Sequence, residues 1–245
     1  MKGHHKTIAT VHDPATALLG ENAYRFMIKS FFGSHVNVWN YESKMIEKKY
    51  GPNASMWLHV ALNKMTWYFI IHFSIMFAVY HVFGYSSFIY NIQYVTISIV
   101  FAELVNYIEH YGLLRKKDAN GVYESVNKMH SWNYLSGAVL IRLQRHSDHH
   151  AHSFRPYQIL RRFDDAPYMP YEYLHMYMFS LVPPLWFHIM DPRVQSIIDY
   201  NNGKKNQDQW NYIMKMSDSD KWRIGAGWLY LALFQVFLTY MAFTS

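Results

Sequence analysis

Cysteine is absent from the 245 residues, which excludes disulfides, thiolate zinc sites, iron–sulfur clusters and thiolate-ligated haem. Any metal must therefore sit on imidazole and carboxylate. Charge is missing too, though only locally: from Met65 to Ala102 there is no Asp, Glu, Lys or Arg. Nor is there a glycine-rich nucleotide or flavin fingerprint of the G-x-G-x-x-G kind, so the chain carries no evident internal route for reducing equivalents. No internal repeat divides it, and its length suits one domain.

What is present is unusual in combination. Aromatic residues make up 18% of the chain, and its 15 histidines nearly equal its 17 acidic residues. The uncharged run holds roughly two lengths of the ~20 apolar residues that a spanning helix needs, divided at Gly84-Tyr85-Ser86-Ser87. This pattern predicts a transmembrane helical hairpin with spans about 65–83 and 87–107. Lys44, Lys48, Lys49 and Lys64 precede it and Arg115, Lys116 and Lys117 follow it, whereas the turn has no basic residue. The positive-inside rule then puts both flanks in the cytoplasm. The formal charge of +6 is distributed as membrane flanks, a pattern of lipid contact and not of nucleic-acid binding. A second uncharged stretch, Tyr173 to Met190, is interrupted by Pro183-Pro184 and is expected to be interfacial or re-entrant. A third, Ile224 to Ser245, offers a possible span at 224–243 or a segment lying against the bilayer.

The densest histidine motif is His146-Ser147-Asp148-His149-His150. At i, i+3 and i+4, its three imidazoles project from one helix face within reach of one ion. Imidazole spacing alone does not choose among iron, zinc and copper. His4-His5 adds two more rings, and His110 stands at the predicted cytoplasmic end of the second span. Glu109 and Asp148 are candidates to orient the imidazoles and raise their basicity, or are ordinary surface acids. His72 and His81 fall inside the first predicted span and are expected to be hydrogen-bonded bundle residues. His12, His35, His59, His130, His152, His175 and His188 match no ligand pattern.

These segments carry a family resemblance. His4-His5-Lys6, Asn106-Tyr107-Ile108-Glu109-His110-Tyr111-Gly112 and Leu143 to Ala151 resemble the second histidine box, the HYG motif and the third histidine box of the alkane 1-monooxygenases. The likeness extends through Asp13-Pro14-Ala15, His130-Ser131-Trp132-Asn133, Tyr157-Gln158-Ile159-Leu160-Arg161 and Met190-Asp191-Pro192. It implies an all-α integral membrane bundle with a cytoplasmic helical cap carrying the histidine boxes. It also implies two non-haem iron ions held largely by histidine, with His4, His5, His110, His146, His149 and His150 at ligand positions. Electrons would come from rubredoxin and its reductase, and the site would face the cytoplasm, at the inner membrane in a bacterium.

The family's second box reads E-H-x-x-G-H-H, which places its first histidine just before residue 1, and the earlier H-E-x-x-H box has no counterpart here. The chain is therefore expected to be the C-terminal part of a longer protein. The expected reaction is terminal hydroxylation of medium- to long-chain alkanes. The alternatives are a related membrane di-iron hydroxylase or fatty acyl desaturase, an inactive remnant, or a membrane zinc hydrolase. The basic residues Arg115, Lys116, Lys117, Arg161 and Arg162 are expected to face an acidic electron carrier or anionic lipid.

Overall fold

The computed structural model describes residues 4–134, 145–163, 165–204 and 236, so that the apolar stretch 224–243, apart from Val236, lies outside the described residues. Among the described residues the chain is helical, joined by loops and by two isolated β-bridges, Lys117 with Tyr123 and Asn133 with Tyr168.

The uncharged run forms α4, Lys64–His110, which begins where the Asn63 side chain accepts from the Met65 amide. It is interrupted at Gly84, whose φ of 82° and ψ of 178° are not helical and suit a residue without a Cβ. Ring contacts reveal what the interruption does. Phe69 stacks on His35 with centroids 6.0 Å apart, and Tyr107 packs on Phe26 at 5.4 Å. Both partners belong to α2, Ala23–Tyr50, where they are only ~14 Å apart along the axis. In a straight helix Phe69 and Tyr107 would be separated by about 57 Å. The chain therefore folds back at Gly84, and Tyr80 and Phe88 meet across the bend at 5.8 Å. Each arm is roughly 30–39 Å long, enough to cross a hydrocarbon core.

The surroundings of those arms identify their solvent. The most apolar window of α4 is only 6% buried, and Phe73, Phe77, Val82, Tyr90, Tyr94 and Ile97 are exposed. A core helix of a water-soluble protein would be covered, and apolar surface of this extent is not left to water. The chain is an all-α membrane protein.

Helix α2 lies across the base of the hairpin. Its first turns meet the second arm through Phe26 and Tyr107, and its middle meets the first arm through His35 and Phe69. Further along, Asn63 Nδ2 donates to the Trp39 carbonyl at 3.2 Å. Both ends of α2 are capped, by the Asn22 side chain on the Arg25 amide and by Gly51 at φ 97°. The short α3, Met56–Leu62, connects it to α4.

The proline-interrupted stretch makes a shallow excursion beside the second arm. In α6, Tyr173–Ser180, Tyr173 bonds Glu109 and Tyr177 Oη donates to the Phe101 carbonyl at 3.2 Å, so the chain runs toward the hairpin's turn. Pro183 and Pro184 then occupy the first turn of α7, Pro183–Asn201, where a missing amide costs nothing. On the way back Trp186 reaches Tyr107 at 5.0 Å, and the Tyr111 hydroxyl donates to Asp191 at 2.6 Å. The prolines break the apolar stretch as expected, and the result is a pair of helices that turns back beside the second arm.

Large aromatic side chains pack together where α4 ends. Tyr107, Tyr111, Trp132 and Trp186 are fully buried there. Gly112 takes φ 72°, and a Cβ at that position would come within 2.7 Å of Val194 on α7. Left-handed backbone costs a non-glycine residue about 1–3 kcal/mol, and overpacking a similar amount. Gly112→Ala is therefore expected to lower the thermal midpoint in detergent or nanodiscs, and Gly112→Ala/Val194→Ala should lose less than the sum of the two single losses.

Candidate metal centre

The last turn of α4 delivers Glu109 and His110, both fully buried, to the base of the hairpin. Beside it stands α5, His146–Ala151, on which the i, i+3, i+4 spacing turns three imidazoles to one side. The segment His130 to Asn133 ties the two helices together. On one side the Trp132 amide donates to the Glu109 carbonyl and its indole to the Tyr111 carbonyl, each at 2.9 Å. On the other, the Ser147 amide donates to Asn133 Oδ1 at 3.1 Å, and Asn133 Nδ2 donates to Ser147 Oγ at 2.6 Å.

The N-terminal pair arrives on α1, His4–Thr7. Arg115 fastens it: its guanidinium donates to the Lys6 and Ile8 carbonyls at 2.8 Å, and its amide donates to the Ala9 carbonyl at 2.7 Å. A residue expected on a docking face thus holds the first histidines against the end of α4.

All six imidazoles converge. His4 lies 5.2 Å from His110 and 5.1 Å from His150 between ring centroids, and His5 lies 5.0 Å from His149 and 4.8 Å from His150. The Nε2 atoms of His146 and His110 are 3.1 Å apart, and those of His150 and His146 are 2.7 Å apart. Two overlapping donor groups could each hold an ion: His4, His110 and His150, and Glu109, His110 and His146, each with ligand atoms within 4.8 Å of one another. His5 and His149 close the side next to His150.

The electrostatics favour neutral rings. Burial, reinforced by His149 and His4, brings His5 down from 6.5 to about 4. Burial and the neighbouring rings also push His146 and His150 well below 6.5, and His149 moves the same way through burial and His4. Neutral imidazole is the ligand form. At these distances the N–H of one neutral ring or a cation must lie between each pair of facing nitrogens, and His146 Nε2, which faces two, can serve only one of them with a proton. Among the described residues, His5 Nδ1, His146 Nδ1, His150 Nδ1 and Glu109 Oε2 are buried without a hydrogen-bond partner. Buried polar atoms without partners call for an ion or water. The donor set therefore fits a metal, and its lack of sulfur suits iron or another cation that takes nitrogen and oxygen.

The two acids expected to orient imidazoles differ. Glu109 Oε2 lies 3.1 Å from His146 Nε2, close but not aligned as a hydrogen bond, so this carboxylate stands among the donors. Asp148 turns to the opposite side. It takes Arg155 Nη1 on its two oxygens at 2.7 and 2.6 Å and the Arg161 amide at 2.7 Å, with His152 Nδ1 at 3.0 Å. Burial raises its carboxyl, but the bonds from Arg161 and Arg155 outweigh this and hold it below its ordinary value. The difference has a helical cause: position 148 lies between the histidines of α5 and faces away from them, so this acid locks the loop after α5.

The acid that does hold one of the six rings is Asp13, 2.9 Å from His4 Nδ1. Burial raises it, and bonds from His4 and Thr16 overcome that and lower it. Sequence reasoning quoted Asp13 only as part of a resemblance and assigned it no task. Elsewhere His72 Nδ1 meets the Tyr68 carbonyl at 3.0 Å, an ordinary hydrogen bond one turn away, and His130 is taken by Glu124 and the Asn127 amide.

The fatty acid desaturase family profile matches residues 2–180. The chain belongs to the fatty acid desaturase family. Within it, the chain is similar to alkane 1-monooxygenase 1 of Pseudomonas aeruginosa, 36% identical over 199 residues, which is 80% of this chain and 51% of the relative. It is also similar to alkane 1-monooxygenase of Acinetobacter baylyi, 39% identical over 78% of this chain and 47% of the relative. A lower similarity, 26% identity over 76% of this chain and 48% of the relative, links this desaturase-family chain to the xylene/toluene monooxygenase hydroxylase component of Pseudomonas putida. The chain spans about half the length of the curated relatives it matches.

The depressed imidazoles set the sign of a pH effect. An unfolded histidine takes up its proton near 6.5, while folded His5 does so only near 4. The folded form thus binds fewer protons between these values, so the stabilisation is complete above about pH 6.5 and is lost as the pH falls toward 4. Bound metal competes with the same protons. Metal retention and the thermal midpoint should fall together across this window in an acid titration. Asp13→Asn, which removes the carboxylate behind His4, should weaken metal binding by about 10–100-fold in a chelator competition.

Proposed function

We propose that this chain supplies much of the di-iron centre of a membrane oxygenase that hydroxylates the terminal methyl group of medium- to long-chain alkanes. The observation that carries the reading is the convergence of six imidazoles at the base of an apolar hairpin, four of them forming two overlapping donor groups with one buried carboxylate. The relatives named alkane 1-monooxygenase narrow the chemistry from metal binding to hydroxylation.

An unactivated C–H bond gives acid–base or nucleophilic groups nothing to grip. The reaction consumes the alkane, dioxygen, two electrons and two protons, and yields a 1-alkanol and water. Two irons, when bound, would supply the activation of dioxygen. His4, His5, His110, His146, His149 and His150 would hold them, with Glu109 as an oxygen donor and Asp13 fixing the His4 ring. The arms of α4, about 65–83 and 87–107, would cross the bilayer and return both ends to the cytoplasmic face, of the inner membrane in a bacterial host. An apolar substrate is already concentrated in lipid, and the hairpin would guide it to the base while keeping bulk water out.

Electrons would arrive from reduced rubredoxin, recharged by its reductase, at the basic rim. Several rim residues also have internal tasks: Arg161 bonds Asp148, Lys116 Nζ donates to the Asn201 carbonyl, and Lys117 lies over Tyr123. Arg161 is still 53% exposed, enough for its charge to face an acidic carrier. The similarity to the xylene/toluene hydroxylase component supports one second reading, hydroxylation of an aryl methyl group.

Membranes from cells expressing the native gene, given iron, rubredoxin, its reductase and dioxygen, test both. Gas chromatography should find 1-octanol from octane. Methylbenzyl alcohol from xylene with no 1-octanol would favour the second reading, and zinc in place of iron in the purified protein would contradict both.

A further inference from the structure

The metal centre leaves one neighbouring group unexplained. Glu109 is fully buried on the last turn of α4, and its two oxygens stand in different surroundings. Oε1 accepts a 2.5 Å hydrogen bond from Tyr173 Oη. Oε2 lies 3.1 Å from His146 Nε2 and has no hydrogen-bond partner among the described residues. A glutamate's terminal torsion is broad and roughly two-fold, so a carboxylate held by nothing else could turn either oxygen, or both, toward an ion.

Tyr173 is well placed to remove that freedom. It is the first residue of α6 and is 7% exposed. One turn on, Tyr177 stacks on Phe101 with centroids 4.5 Å apart and bonds the Phe101 carbonyl. The helix that carries the phenol is thereby fixed to the same arm of α4 that carries Glu109. Tyr134 meets the Tyr173 ring edge-on at 6.3 Å.

We propose that Tyr173 is a positioning residue: its phenol O–H ties up Oε1 of Glu109 so that Oε2 alone is offered to the ion shared with His110 and His146. The inference rests on the proposed metal centre and adds to it the way its carboxylate binds. A carboxylate with one oxygen engaged binds through the other, whereas a released one chelates or swings away. Tyr173 thus acts through Glu109 and need not touch substrate.

Mössbauer spectroscopy of the full chain loaded with 57-iron reads this directly, together with iron affinity from chelator competition. Tyr173→Phe, which keeps the ring, should alter the iron quadrupole splitting and weaken iron binding about tenfold. Glu109→Gln should change the same subspectrum. Tyr177→Phe, which keeps the ring that stacks on Phe101 and so holds α6 in place while removing a phenol that does not bond Glu109, should leave the spectrum as in the wild type. Should Tyr173→Phe fail to fold, fluorotyrosine at position 173 keeps the packing and makes the phenol a stronger donor; a changed subspectrum supports the proposal and an unchanged one overturns it. A wild-type spectrum in Tyr173→Phe alongside a changed one in Glu109→Gln would overturn the positioning role. Unchanged spectra in both, with iron lost on His110→Ala, would remove Glu109 from the ligand set and the proposal with it, while the histidine centre stands. Failure of the wild-type chain to bind iron would overturn the centre itself.

Discussion

His146 Nε2 faces two other imidazole nitrogens in a buried pocket, His150 Nε2 at 2.7 Å and His110 Nε2 at 3.1 Å, and an N–H can serve only one of the two contacts unless a cation takes its place. Much of the structure at the base of the hairpin serves to hold rings in that otherwise unfavourable arrangement. Burial keeps the rings uncharged near neutrality, so each has a single N–H to offer and a lone pair left for an ion. A metal cation relieves the arrangement, and binding free energy that appears only in the assembled site also stabilises the assembly.

The fold has to bring together three stretches far apart in the chain. His110 rides at the end of an apolar arm, and the bend at Gly84 brings that end back to the level where α2 crosses the first arm. The segment 130–133 then clips α5 to the end of α4, and Arg115 clips α1 to the loop that follows. Tyr111 joins the same frame to α7 through Asp191, and Gly112 allows the two backbones to approach. Loss of surrounding bonds that position ligands typically costs about 10–100-fold in metal affinity.

Much of this was legible because the signals are periodic or compositional. An uncharged run of twice the spanning length with a Gly-Ser break reads as a hairpin, and the structure folds back at Gly84. Histidines at i, i+3 and i+4 read as one face, and His146, His149 and His150 do lie together. The uncharged stretch interrupted at Pro183-Pro184 likewise reads as an interfacial or re-entrant segment, and its helices do turn back at those prolines. What stayed hidden depends on tertiary direction. Asp148 sits inside the histidine motif yet points away from it, while Asp13, nine positions from His4, points at it. Tyr173 lies in a run of aromatics where nothing local distinguishes a hydrogen-bonding phenol from packing. The long α2 was not anticipated because its charges are spread among apolar residues, and Arg115 looked like a surface cation until its carbonyl partners were seen.

X-ray absorption at the iron edge of the metal-loaded chain, held in a lipid bilayer, tests the central claim most directly. Bound iron with a shell dominated by imidazole nitrogen, visible through the outer-ring scattering of histidine, is the result the account predicts. An iron shell of oxygen alone, without histidine scattering, would contradict it.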